Sequence, residues 1–264
     1  MAELWFNGKS STDAGIRHVE KYPALNRPER QARIVDVPGR NGDVVQLLDA
    51  WNDYEQEYEI YGGDGTKGSA PVAFNSIYAW LNSANGYARL EDIYEPDYYR
   101  LAYFTGPMDV DNVFSQFGRA TITFMCRPER FLKSAEKRVT LTMTTNQQDS
   151  SSIYNPTGYI AKPMLLIPAQ TSSFTGGTVK FVAESGNQYV ITIDGAFKEP
   201  TYSGKNLVFD CETGNVSSAY NVNGNQFVSY QDGKVPVLEP GRTYIRYTGL
   251  TKTTLEYRPR FFEI

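Results

Sequence analysis

The sequence predicts an all-β protein of two domains, with one short helix in the first. Ala120, Ile122, Phe124 and Cys126 alternate with Thr121, Thr123 and Met125, the period of two that a strand shows when one face is buried. In the second half, turn residues recur about every ten positions with no helical period between them, the pattern of a β-sandwich or jelly roll. The chain also carries 19 Tyr and 14 Phe, residues that suit pleated, half-buried surfaces. Its 264 residues fit two domains at roughly 100 to 200 residues each.

In the first half, Tyr87 to Ile93 and Arg100 to Phe104 are short β-rich runs separated by Pro96 and Asp97, which with Ala120–Cys126 suggest an antiparallel meander. Phe74, Ile77, Tyr78 and Leu81 fall at i, i+3, i+4 and i+7, with Pro71 near the start and Gly86 past the end, so one short amphipathic helix is expected to cover the sheet. Thr144 to Pro156 is polar and poor in aliphatics, and reads as a linker or long surface loop. The domain boundary therefore falls between Phe131 and Pro156, and is placed to give domains 1–137 and 138–264. Beyond it, Val179–Val182, Tyr189–Ile193, Leu207–Asp210, Thr243–Tyr247 and Thr254–Tyr257 read as strands. Their punctuation is Asp194-Gly195, Gly204, Asn223-Gly224, Asp232-Gly233 and Pro240-Gly241.

Composition removes several function classes. A single histidine, His18, excludes any metal site with two or more His ligands and allows at most one Ser-His or Cys-His pair. His18 is expected to be a surface or structural residue. Cys126 and Cys211 are too few for a disulfide framework and read as two reduced, buried thiols, a single bridge between them being the alternative. With 26 basic against 30 acidic residues, no strongly positive face for a nucleic-acid backbone is expected. The acidity sits in residues 1–133, which hold 14 basic and 19 acidic side chains against 12 and 11 in 134–264. No apolar run is long enough to cross a bilayer, and MAELWFNGKSS does not resemble a secretion signal, so neither membrane insertion nor standard secretion is expected.

Each apparent chemical motif has a plainer reading. Asp109-Val110-Asp111-Asn112 resembles the start of a calcium loop, but the Gly and distal Glu are missing. The loop Gly62–Ser69 lacks the contiguous Gly-Lys-Ser/Thr of a phosphate loop and reads as a hairpin tip or strand-to-helix connection. Asp49, Asp53, Glu55, Glu57 and Glu59 could supply a glycosidase acid and base, which need two carboxyl groups roughly 5 to 10 Å apart. Glu55, Glu57 and Glu59 alternate with Gln56, Tyr58 and Ile60, however, as on a strand with an acidic solvated face. A sugar-stacking platform has few tryptophans to draw on, since Trp5, Trp51 and Trp80 all lie in the first half.

Several motifs, taken in order, resemble those of one known family. Trp5-Phe6-Asn7-Gly8-Lys9-Ser10-Ser11 followed by Asp13-Ala14-Gly15-Ile16 is similar to its opening, and Val37-Pro38-Gly39-Arg40-Asn41-Gly42-Asp43 is similar to its most specific turn. Trp80-Leu81, Gly86, Leu90 and Tyr98-Tyr99-Arg100-Leu101-Ala102 resemble its helix and following strand. Phe124-Met125-Cys126-Arg127-Pro128 with Arg130-Phe131 resembles the exit of its N-terminal domain. Asn155-Pro156-Thr157-Gly158, Ile191-Thr192-Ile193, Val208-Phe209-Asp210 and Leu238-Glu239-Pro240-Gly241 extend the likeness through the second half. The family these motifs resemble is the distal tail protein (Dit) family of long-tailed bacteriophages and their prophages.

The resemblance implies an N-terminal β-sandwich with a helix and a projecting hairpin, forming a hexameric ring, and a C-terminal galectin-like jelly roll outside it. It implies a structural hub in the virion tail tip, assembled in the host cytoplasm, with no enzyme activity, cofactor or metal. The implied partners are further copies of the chain, tail tube protein, the tail-associated lysin or baseplate hub, and the tape measure protein. DNA would pass through the channel without specific binding, past a lumen that the acidic N-terminal half is expected to line. Pro38, Gly39, Arg40, Asn41 and Gly42 form the candidate interface turn, in which Pro38 fixes φ, Gly39 and Asn41-Gly42 can take positive φ, and Arg40 projects toward a carboxylate on a neighbour. The alternatives are a carbohydrate-binding module built on residues 138–264 and, after it, a carboxylate-only glycosidase.

Overall fold

The structure, a computed structural model, describes residues 3–22, 26–108, 110–146, 149–218 and 224–264. Two compact units account for the chain: Met1–Arg130 with Ile264, and Phe131–Glu263.

The first unit contains β1 (Leu4–Phe6), β2 (Lys9–Ser10), β3 (Ile16–Tyr22), β4 (Arg30–Val35), β5 (Val44–Trp51), β6 (Tyr54–Gly62), α1 (Ser69–Leu81), β7 (Ala88–Asp92), β8 (Tyr98–Phe104), β9 (Val110–Phe114) and β10 (Phe117–Leu132). Its main sheet runs β2-β1-β7-β8-β10-β6-β3, with β9 also on β10, while among the described residues β4 and β5 pair only with each other. Asn7 and Gly8, both at positive φ, join β1 to β2 in a two-residue turn of the type that matches strand twist. Alternation on β10 behaves as expected: Ala120, Ile122, Phe124 and Cys126 are buried, and so is the matching set Tyr54, Tyr58 and Ile60 on β6.

Helix α1 closes that core, and a pair of glycines seats it. Gly62 and Gly118 face each other across β6 and β10, and a Cβ on either would press on the Phe74 ring, at 3.1 and 2.5 Å. Phe74, Ile77, Trp80 and Leu81 are buried, whereas Tyr78 is half exposed, which corrects the expected stripe. The apolar face is turned toward Trp80, whose indole N–H donates to the Phe6 carbonyl at 3.2 Å, leaving Tyr78 beyond its edge.

The second unit contains β11 (Val139–Thr142), β12 (Ser152–Asn155), β13 (Met164–Pro168), β14 (Gly176–Ala183), β15 (Gln188–Asp194), β16 (Asn206–Asp210), β17 (Asn215–Ser218), β18 (Val228–Tyr230), β19 (Gly241–Thr248), β20 (Thr254–Arg258) and β21 (Phe262–Glu263). Two five-stranded antiparallel sheets, β11-β20-β13-β16-β17 and β12-β19-β14-β15-β18, enclose one apolar cluster that includes Leu165, Phe181, Ile191, Phe209, Ile245 and Leu255. This is a β-sandwich, as the turn spacing predicted.

The stretch Thr144–Pro156 is not simply a linker. Its Ile153 and Asn155 are buried on β12, which pairs with β19. Asn155 is polar because it serves the backbone: its amide donates to the Tyr159 and Leu238 carbonyls at 2.8 and 3.0 Å, and its carbonyl accepts from Thr157 N–H at 3.0 Å. Glu239 plays a similar part, accepting from Ser185, Asn187 and Tyr189 at 2.5, 2.8 and 2.9 Å and so fixing the β14–β15 hairpin. Of the expected turns, Asn223 lies outside the described residues and Gly224 begins a 3₁₀ turn.

Candidate assembly interface

The hairpin β4–β5 stands apart from the main sheet, with nearly every residue solvent-exposed. In its register Ala32 lies opposite Leu47 and Ile34 opposite Val45, while Arg33 faces Gln46 and Val35 faces Val44. Directly opposed residues share a face, so the outer part of the ribbon carries Ala32, Ile34, Val45 and Leu47 on one side, with the Arg30–Asp49 pair nearer its root. Ile34, Val45 and Leu47 are 63%, 57% and 56% exposed. A lone two-stranded ribbon is marginal in water, and a contiguous exposed apolar face marks a surface that another molecule covers.

The candidate turn residues sit at the tip of this ribbon. Arg40 N–H donates to the Val37 carbonyl at 3.1 Å across Pro38 and Gly39, and Gly39 has φ +83°, which makes a type II turn. Gly42 also takes positive φ, at +81°, and Asn41 does not. Arg40 is exposed and makes no ion pair or side-chain hydrogen bond among the described residues.

At the root of the hairpin the chain is held firmly. The Arg30 guanidinium donates to the Leu48 carbonyl and to Asp49, both at 2.8 Å, and Asn52 N–H donates to the Glu29 carbonyl at 2.9 Å. Beside it lies a buried ionic cluster centred on Glu95. Glu95 accepts from Lys21 at 3.0 Å, from Arg130 at 2.7 Å and from Arg100, and Arg27 approaches it to 3.7 Å. Asp92 completes the set, 3.1 Å from Lys21 and accepting from Tyr58 at 2.7 Å, while Arg100 also donates to Tyr54 at 2.7 Å. Burial holds the Lys21 ammonium below its usual range, helped by the Arg100 charge and opposed by Asp92. Burial likewise drives the Tyr58 hydroxyl well above its range, with Asp92 adding to the effect. Arg100, the arginine of the Tyr98–Ala102 motif, is among the largest fully buried side chains. Every carboxylate here is engaged by cations, so the cluster holds strands together and offers no free acid or base.

The remaining candidates do not converge. His18 is exposed on β3, beside a bulge that separates it from Ile16. Asp109 and the side chains of Asp111 and Asn112 lie outside the described residues. The loop 62–69 is a strand-to-helix connection flanking an open depression of about 530 Å³ near Arg17 and Lys67. Glu55, Glu57 and Glu59 occupy the outward face of β6, with Glu20 of β3 directly opposite Glu59. Glu59 pairs with Arg119 at 2.6 Å, Asp49 with Arg30, and Asp53 accepts from Tyr87, so these acids lie along a sheet surface and a hairpin stem and do not face each other across a cleft. Cys126 and Cys211 are separate, buried thiols, and burial pushes that of Cys126 up to about 12. Among the described residues no group of three or more His, Cys, Asp or Glu is placed to hold a metal ion. In the second unit, the described outward strand residues of the β11-β20-β13-β16-β17 sheet, such as Thr140, Met164, Leu166, Val208 and Glu256, include no aromatic ring for sugar stacking.

Comparison with known proteins places the fold. No protein-family model and no curated protein matches the sequence. Among solved structures, the Dit (gp 19.1) protein of phage SPP1, described as a paradigm of the hub adsorption apparatus in phages infecting Gram-positive hosts, matches over 100% of both chains with a TM-score of 0.73 at 13% identity. The baseplate of phage p2 in its activated conformation matches over 98% of both chains, with a TM-score of 0.55 at 10% identity with strontium and 0.54 at 11% with calcium. The chain therefore has the all-β fold of these tail proteins from end to end, and the likeness seen in its motifs extends to its architecture.

Proposed function

We propose that this chain is a distal tail hub protein: a hexameric ring at the end of a phage tail that joins the tail tube to the baseplate and host-adsorption apparatus. The observation that carries the reading is an amphipathic hairpin, apolar on one exposed face, on a chain whose whole fold matches a phage hub protein. The first unit forms the ring, with the hairpin of one copy seated on the next. Such a head-to-tail contact is heterologous and closes when its rotation does. The turn at Pro38, Gly39, Arg40, Asn41 and Gly42 directs an unpaired guanidinium at a carboxylate of the neighbouring copy, a charge-assisted bond suited to fixing orientation. The second unit, a galectin-like jelly roll, decorates the ring.

The ring's partners are tail tube protein on one side and the tail-associated lysin or baseplate hub on the other, around a channel used by the tape measure protein and then by DNA. The outward acids Glu20, Glu55, Glu57 and Glu59 supply the negative surface past which DNA slides. The protein works as a scaffold and not as an enzyme. Light scattering and native mass spectrometry of the purified chain, alone and mixed with tube and hub proteins, test the reading. A closed six-copy species in either sample is expected, and a chain that stays monomeric in both overturns it.

A further inference from the structure

Four Asn-Gly pairs punctuate the chain, at 7–8, 41–42, 85–86 and 223–224, and the structure separates them. Asparagine before glycine is open to attack on its side chain, because glycine has no Cβ to shield the backbone nitrogen that follows. The attack needs a free side-chain amide and a free N–H. Asn7 lacks the first: it sits at φ +50° in the two-residue turn between β1 and β2, and its amide donates to the Ser83 carbonyl and hydroxyl at 3.3 and 3.2 Å. Asn41 has both. It is exposed at the tip of the β4–β5 hairpin, and among the described residues neither its side chain nor the Gly42 N–H makes a hydrogen bond. The Asn85 side chain is also exposed and unbonded among the described residues, and Asn223 lies outside them.

We propose that Asn41 is a self-modification site, at which the free chain converts its own amide to a carboxylate with water as the sole co-reactant. The Gly42 nitrogen gives up its proton to solvent and bonds to Asn41 Cγ; the Cγ–Nδ2 bond breaks and ammonia leaves, closing a cyclic imide. Water then opens the ring. Cleavage at the side-chain carbonyl gives aspartate, and cleavage at the main-chain carbonyl gives isoaspartate, in which the backbone runs through the side chain. Atoms balance as amide plus water to carboxylate plus ammonium, with no oxidation. The new charge lands beside Arg40, so the tip carries Asp36, the acid at 41 and Asp43 against one guanidinium. The consequence, unlike the conversion, rests on the ring reading. Arg40 then finds a carboxylate on its own chain in place of the neighbour's, and the neighbour's carboxylate meets a like charge. A subunit that waits unassembled loses its contact; one whose tip is already covered keeps it, because a packed turn cannot bend into the imide.

The test is incubation of the full chain at mildly alkaline pH, followed by peptide mapping by mass, with enzymatic methylation of isoaspartate as a second readout. The peptide holding Asn41 should gain its acid forms several-fold faster than the peptide holding Asn7. Asn41→Gln, whose longer side chain closes a larger and slower ring, should abolish the change at that position. An Asn41 that stays an amide overturns the assignment, as does conversion at Asn7 as fast as at Asn41. The consequence is read by light scattering with tube and hub proteins. Asn41→Asp should assemble several-fold more weakly than the parent and Asn41→Gln as the parent does; an Asn41→Asp chain that assembles like the parent overturns the consequence. A parent that forms no ring refutes the proposed function, and the mass readout then decides the conversion by itself.

Discussion

Replacing Ile34, Val45 and Leu47 together by serine should prevent ring assembly while leaving the subunit folded. Full burial of an aliphatic side chain of this size contributes about 1.5–3 kcal/mol. These three still expose 63%, 57% and 56% of their surface, so each has a little over half of that to gain, about 1–1.5 kcal/mol. Together they contribute about 3–4.5 kcal/mol per contact, a factor of roughly 10² to 10³ in its dissociation constant. Every subunit of a closed ring makes the contact twice, once with each neighbour, so the loss recurs around the ring. Within the isolated subunit the same side chains face water, and surface changes of this kind typically alter stability by only about 0.5 kcal/mol. The assay is light scattering over a dilution series, with and without tube and hub proteins, paired with a thermal melt. A triple variant that assembles at the same concentration as the parent refutes the reasoning. A large fall in melting temperature would refute it too, since that would mean the face is already covered within the subunit.

Glu95→Gln should cost the first unit about 3–5 kcal/mol, because it takes from buried Lys21, Arg100 and Arg130 the carboxylate they share; urea denaturation measures it. Glu239 is raised by burial but lowered more by its three hydrogen bonds, so its carboxyl sits below the ordinary 4.5. A depressed carboxyl contributes stability that is complete above that value and is lost as pH falls through the lower, folded-state value. Acid unfolding of the second unit should therefore be less steep in Glu239→Gln, and an identical acid profile would contradict this. Gly63→Ala should destabilise the first unit by about 1–3 kcal/mol, since an added Cβ would lie 2.1 Å from the Gln116 carbonyl at a φ of +107°; a thermal melt checks it.

The fold was largely legible where its causes are local. Alternation on Ala120–Cys126, turn spacing in the second half and the Pro38-Gly39 turn are each decided within a few residues, and each appears in the structure. Causes that act across the chain were not legible. Arg100 stands at a core-facing position of β8, a placement that alternation implies, yet its partners come from Tyr54, Asp92 and Glu95, brought together only by the folded sheet. Ala32-Ile34 and Val45-Leu47 alternate as buried strands do, and periodicity reports that a face will be covered without saying whether by the same chain. Thr144–Pro156 reads as a linker because it is polar and poor in aliphatics, yet one of its polar residues, Asn155, is polar because it bonds the backbone of its neighbours. Tyr78 was expected in the helix stripe because spacing alone cannot register that Trp80 tethers α1 to Phe6.

The ribbon that reaches out from the first unit has a second consequence. Among the described residues its two strands pair only with each other, so each offers a rim of bare amide groups on which further strands could stack without end, the route by which proteins turn into fibrils. Arg30 and Arg33 on one strand and Asp49 on the other place charge along those rims, and repeated stacking of identical ribbons would set like charges one above another. The molecule can thus display a sticky flank in a crowded cell and still remain a finite particle.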